Sequence, residues 1–225
     1  AWGEVARRLA HEIKNPLTPI QLSAERLRHK YLTRMSAKDA EVLDRSTHTI
    51  VQQVEAMKDM VKAFSDYART PSMRVGPVDL NAVVEEVLDL YRGEDSGVRI
   101  DSRLEPSIPR LEADSGRLRQ LLHNLIKNAV EAGGDDRAIR LEVTTRCMQQ
   151  HACDYVELRV QDNGPGIPPR LLAQLFEPYV TTKPRGTGLG LAIVKKIVEE
   201  HGGMLWASNR PEGGAAITIR LPVHP

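Results

Sequence analysis

Two long amphipathic segments in the first third of the chain predict two helices. In the first, apolar residues recur every three or four positions, as in a helix that packs in a bundle. They are Ala6, Leu9, Ile13, Leu17, Ile20, Ala24, Leu27 and Tyr31. The second segment follows a polar turn at Thr33–Asp39, and its apolar face consists of Leu43, Thr47, Ile50, Val54, Met57, Val61, Phe64 and Ala68. A single hairpin cannot bury both faces, so we expect a homodimer in which two hairpins form a four-helix bundle.

The hydrophobic pattern changes after Thr70–Pro77, a segment with helix-breaking residues at both ends. Strands are predicted at 78–80, 98–104, 138–147, 155–161, 204–208 and 215–221, and helices from Asn81 to about 91, from 114 or 115 to about 132, and from 188 to about 201. This order, with strands of antiparallel type, indicates a two-layer α/β sandwich. The chain is therefore predicted to be α+β, with a helical hairpin at 1–70, a linker at 71–77 and an α/β domain at 78–225.

A loop of about 25 residues, from Asp162 to Thr187, interrupts the predicted α/β domain. A structureless segment of that length is uncommon inside a compact domain and usually has a function of its own. We therefore expect the loop to be a lid over a ligand.

Composition excludes several classes of partner. The chain has 225 residues, 41% apolar residues and a formal net charge of +1, which gives no charge excess for binding nucleic acid or anionic lipid. It has no apolar run of about 18 residues, so we expect no membrane contact within it. It also starts without Met and inside an amphipathic pattern, which is typical of a fragment of a longer protein. The two cysteines, Cys147 and Cys153, are expected to be free thiols.

The segment His11–Pro16 has the residues needed to receive a phosphoryl group on a histidine. His11 falls about 200° around the helix from Leu9 and Ile13, so it is predicted to face solvent. Glu12 is positioned to accept a proton from the ring, and Asn15 lies one turn later on the same face. Taken alone, the pattern favours a plain surface histidine, and only the rest of the chain favours the phosphoacceptor role.

Two glycine-bearing segments predict a phosphate and base site. Asp162–Ile167 places an acceptor carboxylate at the end of a strand, next to glycines that would admit a flat ring. An Asx turn that closes the strand is the alternative. Gly186–Leu191 opens a helix, whose N-terminal amides favour an anion. Neither segment fits a P-loop or a dinucleotide-binding turn. We group a third glycine pair, Gly202–Gly203, with these two segments.

Polar side chains elsewhere complete this predicted site. Asn124 and Asn128 share one helix face with Glu131, and neutral amide oxygens suit a Mg²⁺ ion that already binds phosphate. Structural hydrogen bonds are the alternative role for these amides. Lys183 and Arg185 precede the second glycine segment and could neutralise phosphate charge, unless they are merely solvated.

Together these segments resemble the histidine kinase family, in its order and spacing. The likeness rests on five stretches. His11–Pro16 resembles the H box, Asn124–Ala132 the N box, Asp162–Ile167 the first glycine box, Phe176–Lys183 the F box, and Gly186–Leu191 the second glycine box. The segment around His11 is most similar to nitrogen-regulation sensors of the NtrY type. The resemblance implies a dimerisation and phosphotransfer hairpin, followed by an ATP-binding domain with the GHKL fold of DNA gyrase B, Hsp90 and MutL.

The resemblance also implies roles for individual residues. His11 would accept the phosphoryl group from ATP, Glu12 would be the base, and Asn15 would assist phosphate removal from a response regulator. Asn128 would bind Mg²⁺. The ATP-binding residues implied are Asn124, Lys127, Asn128, Asp162, Gly164, Gly166, Ile167, Phe176, Lys183, Arg185, Gly186, Thr187, Gly188, Leu189 and Gly190. The receiver domain of a regulator would be the partner, and the segment would be the cytoplasmic part of a membrane-anchored sensor.

One position separates the chain from ATPases of the same fold. These carry a water-activating Glu where this chain has Asn124, and an amide cannot accept a proton. Transfer to a histidine is therefore favoured over hydrolysis. A GHKL-type ATPase and a catalytically silent dimeric scaffold remain the alternatives.

Overall fold

The computed structural model describes residues 2–68, 73–93, 97–133, 138–149, 153–183 and 186–224, and only the backbone of residues 2–7, 149 and 153. The chain divides into two compact units. The helical unit comprises residues 1–71 together with 182–187, and the α/β unit comprises residues 72–181 and 188–225.

The helical unit is a hairpin of two long helices. Helix α1 spans Trp2–Tyr31, a 3₁₀ turn spans Leu32–Arg34, and helix α2 spans Ala37–Ala68. Helix α1 continues through Pro16 and Pro19, although neither proline can donate a backbone hydrogen bond. Ser36 precedes α2 and caps it, since its hydroxyl oxygen accepts a bond from the Asp39 amide at 3.3 Å.

The apolar face of α1 separates into two stripes in the structure. Ala10, Leu17 and Ala24 are spaced seven residues apart and are buried within the hairpin. The remaining apolar positions of the predicted face that have described side chains are exposed: Leu9, Ile13, Ile20, Leu27 and Tyr31. The hairpin therefore buries one stripe and leaves the other uncovered.

The α/β unit contains the elements of a two-layer sandwich. Its strands are β1 (Gly76–Val78), β2 (Val98–Leu104), β3 (Leu111–Ala113), β4 (Ile139–Gln149), β5 (Cys153–Asp162), β6 (Met204–Asn209) and β7 (Ala215–Pro222), and its helices are α3 (Leu80–Asp89), α4 (Ser115–Glu131), α5 (Pro169–Leu172) and α6 (Gly190–Glu200). In the part of the unit described, five strands pair in the order β2-β4-β5-β7-β6, and β1 pairs with β3. Alternate residues of the central strands, such as Val143 and Leu158, are buried in the core with the apolar faces of α4 and α6.

Several details differ from the sequence prediction. Strand β3 was not predicted, because three residues carry no periodic signal. Asp79 rather than Asn81 caps α3, since its side chain accepts a bond from the Ala82 amide. The pairing of β2 with β4 is parallel, and the other pairs of the five-stranded sheet are antiparallel.

The expectation of free thiols is wrong for Cys147, which is disulfide-bonded. Cys147 lies near the end of the β4–β5 hairpin, two positions before Gln149, whose backbone pairs with position 153. The spacing of the two cysteines did not reveal the disulfide, because a disulfide requires a close approach that depends on the fold.

Two contacts join the start of α4 to the end of α6, and we call them the terminal brace. His201 is 3% exposed, its Nδ1 donates to the Ile197 carbonyl at 2.7 Å, and its Nε2 accepts from the Asp114 amide at 3.1 Å. These partners require a neutral imidazole with the proton on Nδ1. The second contact is the ion pair between Arg117 and Glu200, both largely buried.

Asp114 caps α4 inside this brace. Burial raises the pKa of its carboxyl group, but hydrogen bonds from the backbone N–H groups of Arg74, Arg117 and Gly116 outweigh burial, and the pKa is lowered. The start of α4 is therefore fixed by a charged cap as well as by His201.

Candidate functional site

His11 is exposed on α1, as its position in the pattern predicted. Neither its ring nor the side chain of Asn15 makes a hydrogen bond to any residue that the structure describes. Asn15 is also exposed and lies one helical turn after His11. Both polar groups are thus available to a partner. The Asn15 side chain does not bond to the backbone carbonyls that lose their helical hydrogen-bond donors at the two prolines.

Glu12 has a partner that sequence reasoning missed. Its Oε1 accepts a hydrogen bond from Nε of Arg8 at 3.1 Å, and the two side chains are 58% and 83% exposed. An exposed pair of this kind contributes little stability, so the carboxylate can leave it at small cost. The i, i+4 spacing of Arg8 and Glu12 was the signal that could have revealed the pair.

In the α/β unit, Asn124 and Asn128 of α4 lie beside the first residue of α6. A Cβ atom at Gly190 would lie 3.3 Å from Nδ2 of Asn128 and 3.5 Å from Oδ1 of Asn124. Nδ2 of Asn124 donates to the Gln120 carbonyl at 2.9 Å, so its amide is partly engaged within the helix. The first amides of α6 have no partners inside their own helix. Amide oxygens and helix amides therefore meet at one place, which suits a phosphate with a bound cation.

Asp162 lies at the end of β5 and is only 7% exposed. Its Oδ1 accepts hydrogen bonds from the backbone N–H groups of Gly164 at 2.8 Å and Ala215 at 3.2 Å. Its Oδ2 accepts none from the residues described. The Asx turn considered as the alternative is therefore present, and it fixes the carboxylate through one oxygen while the other stays available to a donor.

Helix α4 connects these two places. Gly164 packs against Ala132, the residue after α4, because a Cβ at position 164 would lie 3.2 Å from the Ala132 Cβ. Eight residues of helix separate Asn124 from Ala132, a rise of about 12 Å. This distance is comparable to the length of an extended nucleoside triphosphate.

The segment that resembles the F box is tied to α6. Nζ of Lys195 donates to Glu177 at 2.7 Å, and the Tyr179 amide donates to the Gly188 carbonyl at 2.9 Å. Gly188 has a φ of +65°, and a Cβ there would clash with the backbone of Tyr179. Tyr179 itself has a φ of +67°, which is uncommon for a residue with a side chain. Phe176, the first residue of this segment, is half-buried.

The remaining predicted site residues are divided between the two units. Lys183, Gly186 and Thr187 are grouped with the helical unit, and Arg185 lies outside the described residues. Leu189 is fully buried, so any contact with a ligand would be through its backbone. Lys127 is 57% exposed and lies 3.8 Å from Glu131.

The third glycine pair has a structural role. Gly202, with a φ of +67°, follows α6, and Gly203 packs closely against the Arg220 carbonyl. The pair therefore ends α6 beside the terminal brace and does not line the candidate site.

The β6–β7 turn supplies contacts that the sequence did not predict. Both amide atoms of Asn209 bond to the backbone of Ile167 at 2.7 Å, and Arg210 donates to the Asp162 carbonyl at 3.1 Å. Gly166, with a φ of +82°, lies against the Asn209 amide. The glycine pair Gly213–Gly214, which follows a strand pattern, was the available signal for this turn.

Comparison with known proteins shows which families the two parts of the chain match. Residues 113–225 match the family of histidine kinase-, DNA gyrase B-, and HSP90-like ATPases, and residues 1–72 match the His Kinase A phospho-acceptor domain. The chain is 43% identical over 223 residues to the nitrogen regulation protein NtrY of Azorhizobium caulinodans, covering 98% of the chain and 29% of that protein. The chain spans about a third of the length of the NtrY and NtrY-like proteins that it matches.

Two solved structures have a similar fold. Full-length ShkA in complex with AMPPNP has a TM-score of 0.74 and 26% identity, over 99% of this chain and 46% of that one. The histidine kinase ThkA in complex with the response regulator protein TrrA has a TM-score of 0.69 and 30% identity, over 98% of this chain and 61% of that one. Among the helices described here, none is long and apolar enough to cross a membrane.

Proposed function

Because the chain belongs to the sensor histidine kinase family, we propose that it transfers the γ-phosphoryl group of ATP to His11 and then to an aspartate of a response regulator. One observation carries the nucleotide part of this proposal. The Asp162 carboxylate is held by two backbone N–H groups through Oδ1, and Oδ2 is left to accept a bond from the adenine amino group. Gly164, Gly166 and Ile167 would lie beside the base.

The phosphates are assigned to the start of α6. Gly188 and Gly190 leave room for an anion, and the helix dipole favours negative charge there. Lys127, Lys183, Arg185 and the amides of 186–190 are proposed to contact the phosphates, with Phe176 packing beneath the lid. The amide oxygens of Asn124 and Asn128 fit a hard cation, and Asn128 would hold Mg²⁺. When bound, the ion would neutralise phosphate charge as the P–O bond breaks.

Phosphoryl transfer needs little chemistry from the protein beyond positioning. A ring nitrogen of His11 attacks the γ-phosphorus, the bond to the bridging oxygen breaks, and ADP leaves. Glu12 takes the proton from the other ring nitrogen, which keeps electron density on the attacking one. The exposure of His11 also leaves room for the regulator to remove the phosphoryl group.

The proposed assembly is a homodimer. The exposed stripe of α1, including Leu9, Ile13 and Ile20, would pack against a second hairpin to complete a four-helix bundle. The receiver domain of a response regulator would bind beside His11. The related kinase ThkA forms a complex with the response regulator protein TrrA, which supports a partner of this kind. We propose that the chain is the cytoplasmic core of a larger, membrane-anchored sensor.

Incubation of the protein with γ-labelled ATP and Mg²⁺ tests this function. We expect acid-labile label on the protein, because phosphohistidine hydrolyses in acid. Label released as phosphate without any on the protein would indicate an ATPase, and no turnover at all would indicate a silent scaffold. Either result would contradict the proposal.

The variant Asp162→Asn is expected to bind ADP about 10–100-fold more weakly than the wild type. Asparagine can keep the acceptor for Gly164 and Ala215, but it replaces Oδ2 with an NH₂ group that faces the adenine amino group. Calorimetric titration measures the change. Asp114→Asn is the matched control, because Asp114 also accepts two backbone N–H bonds through Oδ1 but caps the opposite end of α4. Equal affinity in wild type and Asp162→Asn would remove Asp162 from the adenine site.

The variant Asn15→Ala is expected to autophosphorylate almost normally but to dephosphorylate its regulator at least tenfold more slowly. The Asn15 amide, which has no partner in the described part of the chain, can orient a water molecule for attack on an aspartyl phosphate. Separate assays of the two reactions measure the split. Ser23→Ala removes a 2.7 Å bond to the Pro19 carbonyl and controls for loss of helix stability. A parallel loss of both activities in Asn15→Ala would contradict the role.

A further inference from the structure

The turn between β6 and β7 holds the segment after Asp162 through one side chain. Oδ1 of Asn209 accepts a hydrogen bond from the Ile167 amide, and Nδ2 of Asn209 donates to the Ile167 carbonyl, both at 2.7 Å. Two bonds to the backbone of one residue imitate the pairing of neighbouring strands. Among the residues described, Asn209 is the only hydrogen-bond partner of the Ile167 backbone.

The backbones on both sides of this contact are closely packed. Gly166 has a φ of +82°, and a Cβ there would lie 3.0 Å from Oδ1 of Asn209. Gly214, in the same turn, has a φ of +95°, and a Cβ there would collide with the Asp162 carbonyl. Nη1 of Arg210 donates to that carbonyl at 3.1 Å. The turn therefore contacts Asp162, Gly166 and Ile167 in succession.

Asp162 and Ile167 depend to different degrees on their contacts with the β6–β7 turn. Asp162 is also held by its strand and by its own hydrogen bonds to Gly164 and Ala215. Ile167 lies outside any strand or helix, ahead of α5, and depends on the Asn209 amide for a fixed conformation. Because Asn209 is exposed, the Ile167 backbone would form hydrogen bonds with water if that amide were removed. The loop would then lose its fixed conformation while the sheet stayed folded.

We propose that Asn209 is a positioning residue for adenine recognition, which holds Gly166 and Ile167 in place beside Asp162. The inference rests on the proposed function, because it assumes that this loop binds the base. It predicts an effect on nucleotide affinity rather than on the transfer step, since Asn209 contacts none of the groups assigned to phosphoryl transfer. Ordering the loop in advance lowers the entropic cost of binding.

The test compares Asn209→Ala with Asn81→Ala. Asn81 makes an equivalent pair of amide bonds elsewhere in the unit, donating to the Glu105 carbonyl at 2.8 Å and accepting from the Thr145 hydroxyl at 2.7 Å. We expect Asn209→Ala to raise the KM for ATP about tenfold, with kcat within about twofold of wild type. Exchange of the Ile167 amide hydrogen should also become faster. Asn81→Ala should lower the melting temperature and leave the KM unchanged.

The variant Asn209→Asp separates the two bonds. Aspartate keeps an acceptor for the Ile167 amide but places an oxygen against the Ile167 carbonyl, so an intermediate KM is expected. An unchanged KM in Asn209→Ala, or an equal rise in Asn81→Ala, would overturn this inference and leave the proposed function intact. Failure of the wild-type protein to bind ADP in calorimetry would overturn the proposed function and this inference with it.

Discussion

The variant His11→Gln is expected to form no phosphoprotein while it binds ATP as well as the wild type. Glutamine has a similar polarity but no nitrogen lone pair that can attack phosphorus, and an exposed side chain with no described partner can be replaced without loss of folding. Acid-labile label after incubation with γ-labelled ATP measures the first effect, and calorimetry with ADP measures the second.

His48→Gln is the matched control for this experiment. His48 is another exposed histidine of the hairpin, and its ring contacts Gln52 at 2.8 Å and Arg28 at 3.4 Å. We expect this variant to be labelled normally, because its ring is engaged and has no adjacent carboxylate. Label that persists on His11→Gln would show that another residue is the acceptor, and the central proposal would then be wrong.

The variant Glu12→Gln is expected to slow autophosphorylation by about 10²–10⁴-fold, with little change in ATP affinity. Glutamine keeps the size of the side chain but cannot accept the ring proton of His11. The initial rate of labelling at saturating ATP measures the effect.

Arg8→Gln is the control for the ion pair of Glu12. It frees the carboxylate without removing the base, so we expect the rate to stay within a few-fold of wild type. A near-normal rate in Glu12→Gln would mean that Glu12 is only a surface carboxylate. A loss in Arg8→Gln as large as that in Glu12→Gln would instead assign the effect to the pair.

The sequence predicted those elements whose signals are local. Helices α1, α2, α4 and α6 have apolar residues at helical spacing, and strand β2 alternates over its whole length. Strand β3 was missed because its pairing with β1 depends on residues more than thirty positions away. The parallel pairing of β2 with β4 was missed for the same reason, since alternation does not specify strand direction.

The candidate site was predictable where its residues form short motifs. His11, Asn128 and Asp162 each belong to a segment whose residue types suggest their chemistry. The contacts that support these residues were not predictable. Asn209 is 42 positions from Ile167, so their contact depends on the fold. From the sequence alone, an asparagine at the end of a strand is predicted to be an ordinary turn residue.

The terminal brace has a consequence for the order of events during synthesis. The Asp114 amide and His201 are separated by 87 positions, and Arg117 and Glu200 by 83. At a translation rate of roughly 5–20 residues per second, about 4–17 s pass between the emergence of the two partners from the ribosome. During that interval α4, which carries Asn124 and Asn128, has neither its histidine contact nor the helix against which it packs. The candidate nucleotide site can therefore form only after synthesis has passed α6, so nascent chains that end before α6 would not compete with finished molecules for ATP.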